Sequence, residues 1–124
     1  MRVFHATKTL SALEAIKSEQ KLKAGKNVAD RTALLIHLSL DPFSRGSWAL
    51  DVIGKDTNEA WIVELEIADD TPLEPDPSWD GEHYNGRWVV VRQNELPVHI
   101  VGIIHIPNVQ KWEGREENCE RRIL

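Results

Sequence analysis

Residues 87–106 hold two apolar, β-branched runs, Arg87-Trp88-Val89-Val90-Val91-Arg92 and His99-Ile100-Val101-Gly102-Ile103-Ile104-His105-Ile106. Both read as strands. Only Gln93-Asn94-Glu95, Leu96, Pro97 and Val98 separate them, which leaves no room for a helix. Upstream, residues 60–67 alternate Trp61, Val63, Leu65 and Ile67 against Ile62, Glu64 and Glu66, the pattern of a strand with one face more exposed. The order strand, helix, strand, short helix and then three strands gives an α+β protein dominated by sheet. The regular strand–helix alternation of a doubly wound fold is absent.

Working outward toward the N-terminus, residues 2–6 form a short strand that ends in His5. Ser11 with Glu14 three residues later is a capping box, and Leu10 before it suits a hydrophobic staple. Leu13, Ile16 and Leu22 give the following helix one apolar side. The helix ends near Glu19 or Gln20, and Gly25 marks the turn beyond. Ala33-Leu34-Leu35-Ile36-His37-Leu38 is nearly continuous in apolar residues, as expected of a strand buried on both faces. Ser44 or Ser47 caps a short second helix through Ile53, stopped by Gly54. Residues 68–86, with Pro72, Pro75, Pro77, Gly81 and Gly86, make a long loop. A loop of that length in a compact domain is either disordered or functional. The charged stretch after Pro107 suits a further short helix.

The chain has 124 residues, 41% of them hydrophobic, which fits one domain over 1–124. A net charge of −5 without a basic stripe argues against nonspecific nucleic-acid binding. One cysteine, Cys119, rules out an internal disulfide and fits a reducing compartment. The longest apolar run is far too short to span a bilayer, and no signal-peptide core opens the chain. The expected location is the cytoplasm, with no membrane partner. No glycine-rich phosphate loop follows a strand. No Gly-x-Ser-x-Gly elbow is present. No histidine or cysteine spacing indicates a metal site. Five tryptophans stand out; Trp61 and Trp88 lie in strands and read as structural, whereas Trp79 lies in the long loop, where it needs a partner surface or a ligand.

Three polar groupings remain. His5 and Thr7 leave the first strand just before a helix; they read either as a part-buried histidine with a turn-forming threonine, or as a cleft wall. His37 and Ser39 share a face of the second strand. Buried there, they need partners, since an unpaired polar group costs about 1–3 kcal/mol. They either satisfy neighbouring loops or line the cleft of His5. Gln93 and Glu95 share a face if extended, and form either an exposed hairpin loop or a site for orienting a sugar and stabilising a developing cation. The last strand, 99–106, is either central or an edge that pairs with a second copy in a homodimer.

Together, Phe4-His5-Ala6-Thr7, Leu13 and Ile16, Ile36-His37-Leu38-Ser39, Trp61-Ile62-Val63-Glu64-Leu65 and Gln93-Asn94-Glu95 resemble the ADP-ribosyltransferase superfamily in a compact form. The resemblance implies a split, strongly bent β structure with one main N-terminal helix, a short second helix and NAD as co-substrate in the cleft. It assigns His5, His37 and Glu95 to catalysis. It assigns NAD contacts to His5, Thr7, Ser39, Trp48, Arg31, Arg45 and Gln93, with the two arginines on the pyrophosphate and Trp48, Trp79 or Tyr84 stacking over the nicotinamide. The implied reaction moves ADP-ribose to an acceptor, protein, nucleic acid or small molecule, and releases nicotinamide. The Arg31-to-Leu38 segment also resembles RNA 2′-phosphotransferases of the same superfamily. A departure is the absence of a tyrosine near His37 and Ser39. A non-catalytic binding or inhibitor module on the same fold is the contrasting reading.

Overall fold

The computed structural model describes residues 1–26, 34–42, 58–76, 88–112 and 116–124. Its strands are β1 (Arg2–Thr7), β2 (Lys21–Lys23), β3 (Gly25–Lys26), β4 (Leu34–Ser39), β5 (Ala60–Glu66), β6 (Glu74–Pro75), β7 (Trp88–Val91), β8 (Glu95–Pro97), β9 (His99–Ile106) and β10 (Glu120–Ile123). The helices are α1 (Leu10–Glu19), α2 (Val109–Trp112) and a 3₁₀ turn at Glu116–Asn118. The protein is α+β, with one main helix and a mostly antiparallel sheet. The expected second helix at 44–53 lies outside the described residues.

The main sheet runs β10-β9-β5-β1-β4-β7-β6, with β3 beside β4, while β2 and β8 form a separate ribbon. Each neighbouring pair is antiparallel. β1 pairs with β5 along its whole length, from Arg2↔Glu66 to Thr7↔Trp61. With β4 it makes one register pair, Phe4↔Ser39. The sheet is therefore two halves joined at one register pair, and β1 and β4 part beyond it toward His37 and Thr7.

Alternation along the strands sorts two cores. Val3, Val63, Leu65, Ile36, Leu38, Val89 and Val91 pack with Leu13 and Ile16 of α1. On the opposite face Phe4, Ala6, Ile62, Ile104, Ile106 and Trp88 pack with Val109 and Trp112 of α2. A helix on each face explains why β5 is apolar in both registers. Ile62 and Glu64, expected on an exposed face, are buried.

Glu64 is a buried carboxylate within that arrangement. Its carboxylate is matched by Arg121 of β10 through Nε at 3.1 Å and a short contact from Nη2, with Arg2 3.8 Å away. Glycine at position 102 of β9 leaves the space the carboxylate occupies, because a Cβ there would overlap it. β9 is thus enclosed between β5 and β10. The expected possibility of a free edge at 99–106 gives way to β10, a strand not anticipated in the charged tail. It covers β9 and takes the edge position itself.

The start of α1 also differs from expectation. Thr9, in extended geometry at φ −128° and ψ 144°, is the N-cap and accepts from the Ala12 N–H at 3.2 Å. Ser11 lies inside the helix and only reaches the Thr9 hydroxyl, at 3.4 Å. Leu10 is exposed, so it does not act as a staple. The helix stops at Gln20, whose left-handed φ of 52° and N–H bond to Ile16 O turn the chain directly into β2. Leu22 is accordingly a buried strand residue.

Candidate active site

His5 and Thr7 lie on the α1 face of β1. They line a cavity of about 230 Å³ with Ala12, Ala15, Ile16 and Glu19 of α1 and with Lys21, Leu22 and Lys23. Its origin is local. The two alanines leave a gap between helix and strand, and the abrupt turn at Gln20 brings β2 across the open end.

The His5 imidazole reaches across the split between β1 and β4, with Nδ1 2.8 Å from the His37 carbonyl. A carbonyl only accepts, so Nδ1 carries the proton and donates. Nε2 is then the ring's acceptor, and among the described residues it has no hydrogen-bond partner. Burial pulls the imidazole below its usual pKa of 6.5, outweighing the hydrogen bond to His37 O, which acts the other way. The ring is thus neutral at pH 7, a fixed acceptor on a cleft wall.

Lys21 and Lys23 were not anticipated. Their Lys-Leu-Lys alternation was the available signal, hidden because Leu22 extends the helical period of Leu13 and Ile16. Glu95 pairs with Lys23 in the β2–β8 register, which puts it on the lysine face of that ribbon. Its Oε1 lies 3.1 Å from Lys21 Nζ. Glu95 is exposed and meets the cleft through Lys21, at its rim.

His37, Ser39 and Gln93 do not join this cleft. Phe4↔Ser39 pairing puts Ser39 on the Phe4 face, and alternation puts His37 there too, opposite His5. The expectation that these pairs share one cleft is corrected by that single register point. His5 meets the backbone carbonyl of His37. Ser39 closes its own turn instead, donating to Asp41 O at 2.7 Å and accepting from Asp41 N at 3.1 Å. Burial lowers the pKa of His37, opposed by the charge of buried Asp76. Gln93 sits at a bend before β8, so the two-residue period linking it to Glu95 is broken. It lines a separate cavity of about 520 Å³ with Glu66–Ala68, Asp70–Pro72 and Leu96–Val98. Arg31, Arg45, Trp48, Trp79 and Tyr84 lie outside the described residues.

Among the described residues no cluster of three histidine, cysteine or acidic groups is placed to hold a metal ion. Among them too, no helix is long and apolar enough to cross a membrane. Comparisons of the chain with protein-family models, with curated proteins and with solved structures find no significant match.

Proposed function

We propose that the protein is an ADP-ribosyltransferase that uses NAD as co-substrate and the His5–Thr7 cleft as its site. The observation that carries this reading is the neutral His5, tied by Nδ1 to His37 O across the sheet split, with Nε2 open as an acceptor beside Thr7. Nε2 accepts from a ribose hydroxyl, and the Thr7 hydroxyl gives a second contact. A cavity of 230 Å³ is below the range of about 300–1,000 Å³ for whole drug-sized ligands, so it takes one end of the dinucleotide. Lys21 and Lys23 then take the anchoring role for the pyrophosphate that sequence reading gave to Arg31 and Arg45.

The transferred group leaves when the bond between ribose C1′ and the nicotinamide nitrogen breaks, its electron pair going to nicotinamide. An acceptor nucleophile forms the new bond to C1′ and loses its proton to solvent. Glu95 at the rim supplies negative charge for the oxocarbenium-like centre. Engagement of Lys21 by phosphate releases the Glu95 carboxylate for that task. Removal of an RNA 2′-phosphate gains no support from His37, whose ring is on the opposite face. A non-catalytic binding module on the same fold is favoured by one observation, the tie between Glu95 and Lys21.

Incubation with NAD labelled in the adenylate half, with a lysate as acceptor source, tests the reading. Label transfer with nicotinamide release is expected. It should drop about five- to tenfold in His5→Ala, the scale of one lost hydrogen bond at about 1–1.5 kcal/mol. Ala15→Leu, which fills the cleft without removing a polar group, should have a similar effect. Absence of transfer, nicotinamide release and NAD binding leaves the binding-module reading.

A further inference from the structure

A second cleft lies on the same sheet face, on the other side of α1. It has a volume of about 380 Å³ and is lined by Leu13 and Lys17 of α1, Trp61 of β5, Ile103 and His105 of β9, and Glu120, Arg121 and Arg122 of β10. The volume falls within the usual range for small-ligand sites. Three features give it a chemical character.

The first is an aromatic platform. Trp61 and His105 are register partners across β5 and β9, and their rings stack at 5.6 Å with 20° between planes. Both rings are part-exposed. His105 is fixed edge-on, with Nε2 2.9 Å from Glu59 and Nδ1 3.5 Å from Glu120. The Glu59 contact restrains the ring against which Trp61 stacks.

The second is uncommitted positive charge. Arg122, opposite Ile103 in the register, points to this face and makes no ion pair among the described residues. Lys17 has only a long contact to Glu14, at 3.7 Å. Arg121 is neutralised by Glu64, and Glu120 is turned to His105. The third is the apolar floor of Leu13 and Ile103. A part-exposed aromatic stack, an apolar floor and two cations at the edge match a planar heteroaromatic ring carrying a phosphate.

We propose that the cleft between α1 and the β5–β9–β10 side of the sheet binds a 5′-phosphorylated nucleotide, its base on the Trp61–His105 platform and its phosphate on Arg122 and Lys17. The same chemistry comes from a free nucleotide or from the 5′-phosphorylated end of an oligonucleotide. The site is independent of the NAD reading, since it shares no residue with the His5 cleft.

Calorimetric titration of the whole protein with 5′-AMP, adenosine, inorganic phosphate and a trinucleotide with and without its 5′-phosphate tests it. Binding of AMP tighter than of adenosine or phosphate alone is expected. Arg122→Ala and Lys17→Ala, both exposed and outside the cores, should each weaken AMP about tenfold, as expected on removal of one charged phosphate contact. Arg122→Lys should recover part of the loss. Tighter binding of the phosphorylated trinucleotide than of AMP assigns the oligonucleotide end, and the reverse assigns the free nucleotide. Failure of AMP to bind, or equal affinity in wild type and Arg122→Ala, overturns the proposal. AMP affinity that falls in His5→Ala but not in Arg122→Ala places the nucleotide in the first cleft and also overturns it. Loss of NAD-dependent transfer leaves the proposal standing.

Discussion

Gly102 and Glu64 show how one residue constrains another in this sheet. The carboxylate is buried in the space that a side chain at 102 would fill, and its charge is balanced by Arg121. Gly102→Ala forces that carboxylate away from the guanidinium, and chemical denaturation should report a loss of about 1–3 kcal/mol. The two imidazoles at the split make a second prediction. Burial depresses both His5 and His37 below 6.5 in the folded protein. As pH falls below that value the unfolded chain takes up protons that the folded protein does not, so stability decreases. Above it both states are neutral and the contribution is flat. Thermal melts from pH 7.5 to 5.5 should therefore show a Tm that is level at first and then falls, with a shallower fall in the double variant His5→Gln, His37→Gln. Of the polar residues, His5 and Thr7 fall on one cleft wall because alternation along β1 gives them a common face. The face of His37 and Ser39 was not legible, because a single register pair between distant strands decides it.

At the scale of elements, α1 stands between two clefts and its ends shape one of them. Thr9→Ala removes the side chain that accepts from Ala12 N and should cost about 1 kcal/mol, whereas Ser11→Ala should stay within about 0.5 kcal/mol. Urea melts of the two variants distinguish the cap from the capping box that sequence spacing suggested. Thr9 and Ser11 are both good caps, and the choice rests on which one the chain leaves in extended geometry. Strands β1, β4, β5, β7 and β9 were legible from apolar runs and alternation. The short strands β2, β6 and β8 were not. Two or three residues carry too little pattern, and a left-handed Gln20 is invisible in composition. β10 was hidden for a different reason. Its sequence, Glu-Arg-Arg-Ile, is polar because the strand is an edge, where charge discourages further pairing.

For the molecule as a whole, the α+β character followed from the order of elements, while the division of the sheet into two halves required the register. That division produces the candidate site. A fully paired β1–β4 ladder would leave His37 O bonded to backbone, and His5 would have nothing to reach across to. The β2–β8 ribbon, whose partners are more than seventy residues apart in sequence, puts Lys21, Lys23 and Glu95 on one face. Under the proposed function, NAD enters this cleft. The most direct test is a backbone amide NMR titration of the intact protein with NAD. Saturable shifts are expected at residues 5–7, 12–16, 19–23 and 95, with the same titration nearly silent in Ala15→Leu. Shifts confined to the Gln93 cavity or to the Trp61–His105 cleft, or none at millimolar NAD, would contradict it.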